Sequence, residues 1–244
     1  MMRRVALLLY VLAAGCHRGG SVADDQDMAA PEQHPDEHAA MAAEHAMAGM
    51  VAEDLHLRLT AMRPPAPGDS ARAALVLAVM HRELAKYRDV RVAQADGFRQ
   101  YIPAGSAPVQ HFTKIRWAFQ SRNRLDPARP TSLLYQRAAD GSLTLVGAMF
   151  TAPPQTGDAE LDARLPLSVV HWHQHINWCL PPLADAGRRW RETKDGHPVF
   201  GPKSPIATAE ACEAVGGRFY PRLFGWMVHV MVFSDGDPWN AGHH

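Results

Sequence analysis

One segment constrains this chain more than any other: Val169-Val170-His171-Trp172-His173-Gln174-His175-Ile176-Asn177-Trp178-Cys179. Its β-branched and aromatic residues favour an extended backbone. An extended backbone sends successive side chains to opposite faces. The odd positions therefore place His171, His173, His175, Asn177 and Cys179 on one side, and Trp172, Ile176 and Trp178 on the other, a face suited to a core. Same-face residues lie about 6.6–6.8 Å apart along a strand. Two neighbouring imidazoles can thus converge on one ion about 2.0–2.1 Å from each nitrogen; three can do so only if the strand bends. Imidazoles gathered on one face cost free energy unless something satisfies their nitrogens. A metal ion is the economical expectation, and the bland one is an exposed polar face hydrogen-bonded to water.

A second segment, residues 225–233, offers partners. Opposite its valines it presents Met227, His229 and Met231, and His111 stands beside Phe112 near the start of another extended stretch. The expected metal set is His171, His173 and His175 with His229 or His111. Met227 and Met231 are possible soft ligands whose alternative is plain core packing. Residues 21–54 add His34, His38, Met41 and His45, stepping by four, three and four along one helical face. Imidazole suits Cu(II) and thioether suits Cu(I), so copper is expected ahead of zinc or iron. A low-complexity tether with incidental His and Met is the alternative for this arm.

Composition sorts the chain into parts. Residues 21–54 carry nine acids and no Lys or Arg, whereas the remainder after them carries 22 basic and 16 acidic residues. The overall formal charge of zero hides that asymmetry and argues against a nucleic-acid partner. A hydrophobic fraction of 47% fills a core and excludes wholesale disorder. At the start, Arg3 and Arg4 precede an apolar stretch at 5–12, then small residues lead to Cys16. This resembles a bacterial lipoprotein signal, which implies export, a lipid on Cys16 and attachment to the membrane, facing the periplasm or the cell surface. Ordinary secretion into the periplasm is the alternative. Export leaves Cys179 and Cys212 as an even pair in an oxidising compartment, so a disulfide is expected, with Cys179 as a thiolate ligand the rival.

The expected organisation is a signal at 1–16, an acidic His/Met-rich arm at 17–62 and one globular domain at 63–244. Within the domain, Leu75, Val79, Leu84 and Tyr87 recur at helical spacing to about residue 95, after a cap at Asp69 or Ser70. Extended stretches are expected at 112–119, at 133–137 and 143–150 around Asp140-Gly141, at 166–180 and at 223–233. A loop spans 184–205, and Thr208 caps a short helix holding Cys212. In the last strand Trp226, Val228, Val230 and Val232 share one apolar face. The expected fold class is α+β: a curved or partly closed antiparallel sheet with one long packed helix and a short second helix.

Leu125-Asp126-Pro127-Ala128-Arg129-Pro130, then Ser132-Leu133-Leu134-Tyr135, Leu145-Val146-Gly147 and the histidine segment run in a suggestive order, with His111-Phe112 ahead and Pro238-Trp239-Asn240 behind. Residues 97–240 on this basis resemble an uncharacterised family of exported bacterial proteins with a histidine-bearing strand. The resemblance implies that His111 and the later histidines belong to one site. It also implies that Met149 stands where relatives often have an acid, so no carboxylate ligand is expected.

Three functions compete. The first is an exported copper lipoprotein for metal capture, storage or delivery. The second is a periplasmic metalloenzyme, oxidoreductase or hydrolase, with an open position on a His-ligated ion; no general base is evident. The third is a metal-free surface lipoprotein that binds a partner.

Overall fold

Residues 54–101 and 109–239 are described by the structure, a computed structural model, and all belong to one folded unit. Its strands are β1 (Leu57–Leu59), β2 (Val109–Thr113), β3 (Ser132–Arg137), β4 (Leu143–Ala152), β5 (His173–Leu180), β6 (Thr193–Lys194), β7 (His197–Pro198) and β8 (Arg218–Val230). Its helices are α1 (Asp69–Leu84), α2 (Val90–Ala95), α3 (Ile115–Gln120), α4 (Asp158–Arg164), α5 (Ala186–Arg189) and α6 (Ala209–Ala214), with 3-10 turns at Ala85–Arg88 and Leu183–Asp185.

Six strands form one open antiparallel sheet in the order β1-β5-β8-β4-β3-β2, and β6 pairs with β7 apart from it. The fold is α+β, as the sequence pattern leads one to expect. The hairpin around Asp140-Gly141 joins β3 to β4, with Gly141 at a φ of 84° that glycine adopts without strain. Gly147, in β4, is required for another reason. Any β-carbon there would strike the Val230 carbonyl and come within 2.9 Å of Met231 Cα, forcing β4 from β8.

One sheet face carries the main core. Phe112, Leu133, Tyr135, Phe150, Trp172, Trp226, Val228 and Val230 meet Met80, Leu84 and Tyr87 from α1 and the turn after it. Trp226, Val228 and Val230 thus share the apolar side that alternation predicts. The buried apolar residues of α1 are Ala73, Met80 and Leu84, and Tyr87 follows them into the core, whereas Leu75, expected on the same face, is 66% exposed. A guanidinium network anchors its start. Arg63 reaches Asp69 at 2.7 Å and Asp162 of α4 at 2.6 Å, and Ser168 donates to Asp69 at 2.6 Å. Arg63 holds both carboxyl groups below their ordinary range.

Several expected boundaries move. The arm drawn to residue 62 ends earlier, because Leu57–Leu59 already pairs with β5 at the sheet edge. The stretch 112–119 is strand only to Thr113, and α3 follows. The strand drawn from 166 begins at His173, since 166–170 close a turn with Val170 N–H on the Pro166 carbonyl at 3.2 Å. The last strand begins earlier than expected, at Arg218. The loop at 184–205 contains α5 and the β6–β7 pair.

Cys179 and Cys212 form a disulfide across 33 positions. Thr208 caps α6 by accepting from the Ala211 N–H at 3.2 Å. The sulfurs pack with Val199 and Phe200 in a separate small core. On chain-entropy grounds this closure stabilises the fold by about 3–4 kcal/mol.

Candidate functional site

The sheet face opposite the main core gathers the histidines. Strand alternation puts His111 of β2, His173 and His175 of β5 and His229 of β8 on this side, because Phe112, Trp172, Val228 and Val230 occupy the other. His229 stands opposite Met149, and His173 opposite Met227. Val109, Leu134, Val146, Met149 and Met227 fill an apolar floor, with Met231 packed against it. Met227 and Met231 are thus core-packing residues.

The rings form a row. His111 and His229 have centroids 5.3 Å apart, His229 and His173 5.0 Å, His173 and His175 5.5 Å, and His175 and Trp178 4.9 Å. His173 is buried at 2% exposure, while His111, His175, His229 and Trp178 are half-buried. His111 reaches this row from three strands away. On a flat sheet that offset is about 14 Å, yet its Nε2 lies 3.4 Å from His229 Nε2. The two side chains therefore reach toward each other across the intervening strands. Gly147 lies between, opposite Leu134, which in turn faces His111.

Trp178 joins the row against strict alternation, which assigns it to the core with Trp172. The cause is Asn177, whose φ of 56° kinks β5 and whose side chain donates to the Leu55 carbonyl at 3.1 Å. Asparagine enters the left-handed region more readily than most residues, and that was the one signal available. Trp178 stands opposite Tyr220, and the Arg218 guanidinium lies 5.3 Å from the Tyr220 ring centre. The row thus ends in a Trp, Tyr and Arg patch. Neither Tyr220 nor Arg218 stands out in the sequence.

His171 is not part of the row. It precedes β5, is exposed, and its Nδ1–H donates to the Thr60 carbonyl at 2.9 Å. Cys179 is committed to its disulfide. Cys16, His34, His38, Met41 and His45 lie outside the described residues.

The expectation of copper, or of zinc or iron in its place, is overturned for this domain. Among the described residues no group of three or more His, Cys, Asp or Glu is placed to hold a metal ion. Ligation needs ring nitrogens converging on one point at about 2.0–2.1 Å. These rings instead follow one another in file, four of them from three strands, with His173 and His229 edge to face. The imidazoles pack against each other over an apolar floor, with His111 Nε2 3.4 Å from His229 Nε2. Burial pushes the His111 imidazole below its ordinary range, which favours the neutral ring. A neutral imidazole carries one donor and one acceptor nitrogen, so the row offers flat ring faces and both kinds of hydrogen bond.

No family model, curated protein or solved structure matches the chain. Fold and site together define a class, an open α+β sheet domain with a ring-lined face. Among the described residues no helix is long and apolar enough to cross a membrane.

Proposed function

We propose that the chain is an exported, lipid-anchored binding protein that recognises a protein partner through the ring-lined face of its sheet. The observation that carries this reading is the continuous row from His111 to Trp178, ending beside Tyr220 and Arg218. Trp, Tyr and Arg dominate the energetics of protein interfaces because each combines large contact area with a polar end. Half-buried rings on a rigid strand lose little conformational entropy on binding. The lipoprotein-like start of the sequence supports an envelope location, with Cys16 as the lipid-bearing residue. The disulfide is compatible with an oxidising compartment.

The test is a photo-reactive phenylalanine analogue placed at Trp178, and separately at exposed Leu75 beyond the opposite face, in intact cells. A discrete adduct from position 178, absent from position 75 and diminished by His175→Ala, is the expected result. Identical adducts from both positions, no adduct, or a stoichiometric metal in the purified protein would overturn the reading.

A further inference from the structure

Away from the ring-lined face, the segment after β5 leaves apolar side chains in water. Leu183 is 94% exposed, and Trp190 is 46% exposed although its indole lies over Gly201. The turn Leu183–Asp185 leads into α5 through a non-helical backbone at Asp185, and Leu183 and Trp190 bracket a short stripe of surface. Ala186 and Gly187 between them add no polar side chain to that stripe. Exposed Arg188 and Arg191 flank it, and residues 181–203 carry five basic against three acidic side chains.

The chain also enters the folded domain beside this segment. Asp54, Leu55 and His56 line a groove with His197, Lys203 and Ser204. His56 is 3% exposed, and its Nε2–H donates to the Ser204 carbonyl at 2.5 Å.

We infer that the segment 181–192, with Lys194 and Lys203, is a membrane-surface contact for anionic lipid. Tryptophan settles at the headgroup level of a bilayer and an exposed leucine inserts into the acyl boundary. Arginine and lysine gain from the negative surface potential within about 10 Å of it. The occupant is a bilayer rather than a protein because basic side chains outnumber acidic ones around the two exposed apolar side chains. This inference rests on the lipid-anchored reading, and its test is kept separate from that reading.

The probe is a chain lacking residues 1–16, which removes the apolar start and Cys16 and leaves every described residue in place. It is sedimented with vesicles of phosphatidylethanolamine and phosphatidylglycerol, and with vesicles of phosphatidylcholine alone. Binding to the anionic vesicles is expected, weakened by salt, and reduced about ten-fold in a Leu183→Glu, Trp190→Ala double variant. Hydrogen exchange at 181–192 should slow on the anionic vesicles. Absence of binding, equal binding to both vesicle types, or equal binding by the double variant would overturn the contact. An unchanged thermal unfolding curve for the double variant shows that any loss is not misfolding. Palmitate incorporation at Cys16 in cells, compared with Cys16→Ser, reports on the lipid anchor independently: incorporation without vesicle binding removes the contact and keeps the anchor.

Discussion

The two faces of one sheet are built from the same strands and do different work. One buries Trp172, Trp226, Val228 and Val230 against α1. The other carries His173, His229 and His111 over a floor of Met149, Met227 and Leu134. Period two lets neighbouring residues serve opposite ends: Trp172 is fully buried while His173, next to it, begins the ring-lined side. The core face holds the sheet together, and the ring-lined face uses that rigidity to keep planar side chains in a fixed file.

Removing Trp172 should show the asymmetry most strongly. Trp172→Ala is expected to cost about 3–5 kcal/mol in denaturant unfolding, and a cost near that of a surface change would abolish the distinction between faces. Opening the disulfide by Cys179→Ala with Cys212→Ala should cost about 3–4 kcal/mol and leave the row's histidine resonances unchanged. Perturbed resonances would mean that the small sulfur core supports the ring-lined face.

Proton linkage sharpens the contrast further. The His111 pKa is lowered by burial, so the unfolded chain takes up the proton first and stability falls as pH drops below about 6.5. Asp69 and Asp162 are held low by Arg63. Their contribution is present above a pH of about 4 and is lost only below it. Between pH 7 and 5 the wild type should therefore melt progressively lower, and His111→Gln should flatten that slope. A slope that survives the substitution would place the linkage elsewhere. The smallest effect is expected from His229→Ala, at most about 1.5 kcal/mol, since a half-buried ring on this side leaves a site that water can enter.

Much of this architecture was legible beforehand, for identifiable reasons. Trp226, Val228 and Val230 announce one face of β8 by period alone, and Asp140-Gly141 announces its hairpin. Thr208 and the paired cysteines likewise declare α6 and its cross-link. The site was half legible: period two places His173 and His175 together, the sequence offers His229 or His111 as partners, and the structure brings both into the row. Alternation carries no information about how side chains lean across a sheet, so the approach of His111 in β2 to His229 in β8 could not be read. Nor could the kink at Asn177, which turns Trp178 toward the histidines. His171 was misplaced because the strand begins only at His173, two residues beyond it. The inference of a metal failed for a physical reason: same-side imidazoles can pack edge to face in file, an arrangement that spacing along one strand does not distinguish from convergence on an ion.

The pairing of His111 with His229 also bears on how the chain reaches its native state. These residues are 118 positions apart and come from opposite halves of the sheet, so β3 and β4 must be zipped between them before the rings can touch. Loop-closure entropy makes such distant encounters late events. Contact between the two imidazoles is accordingly a marker of completed assembly, formed after the hairpin at Asp140-Gly141 and lost early when the fold begins to open.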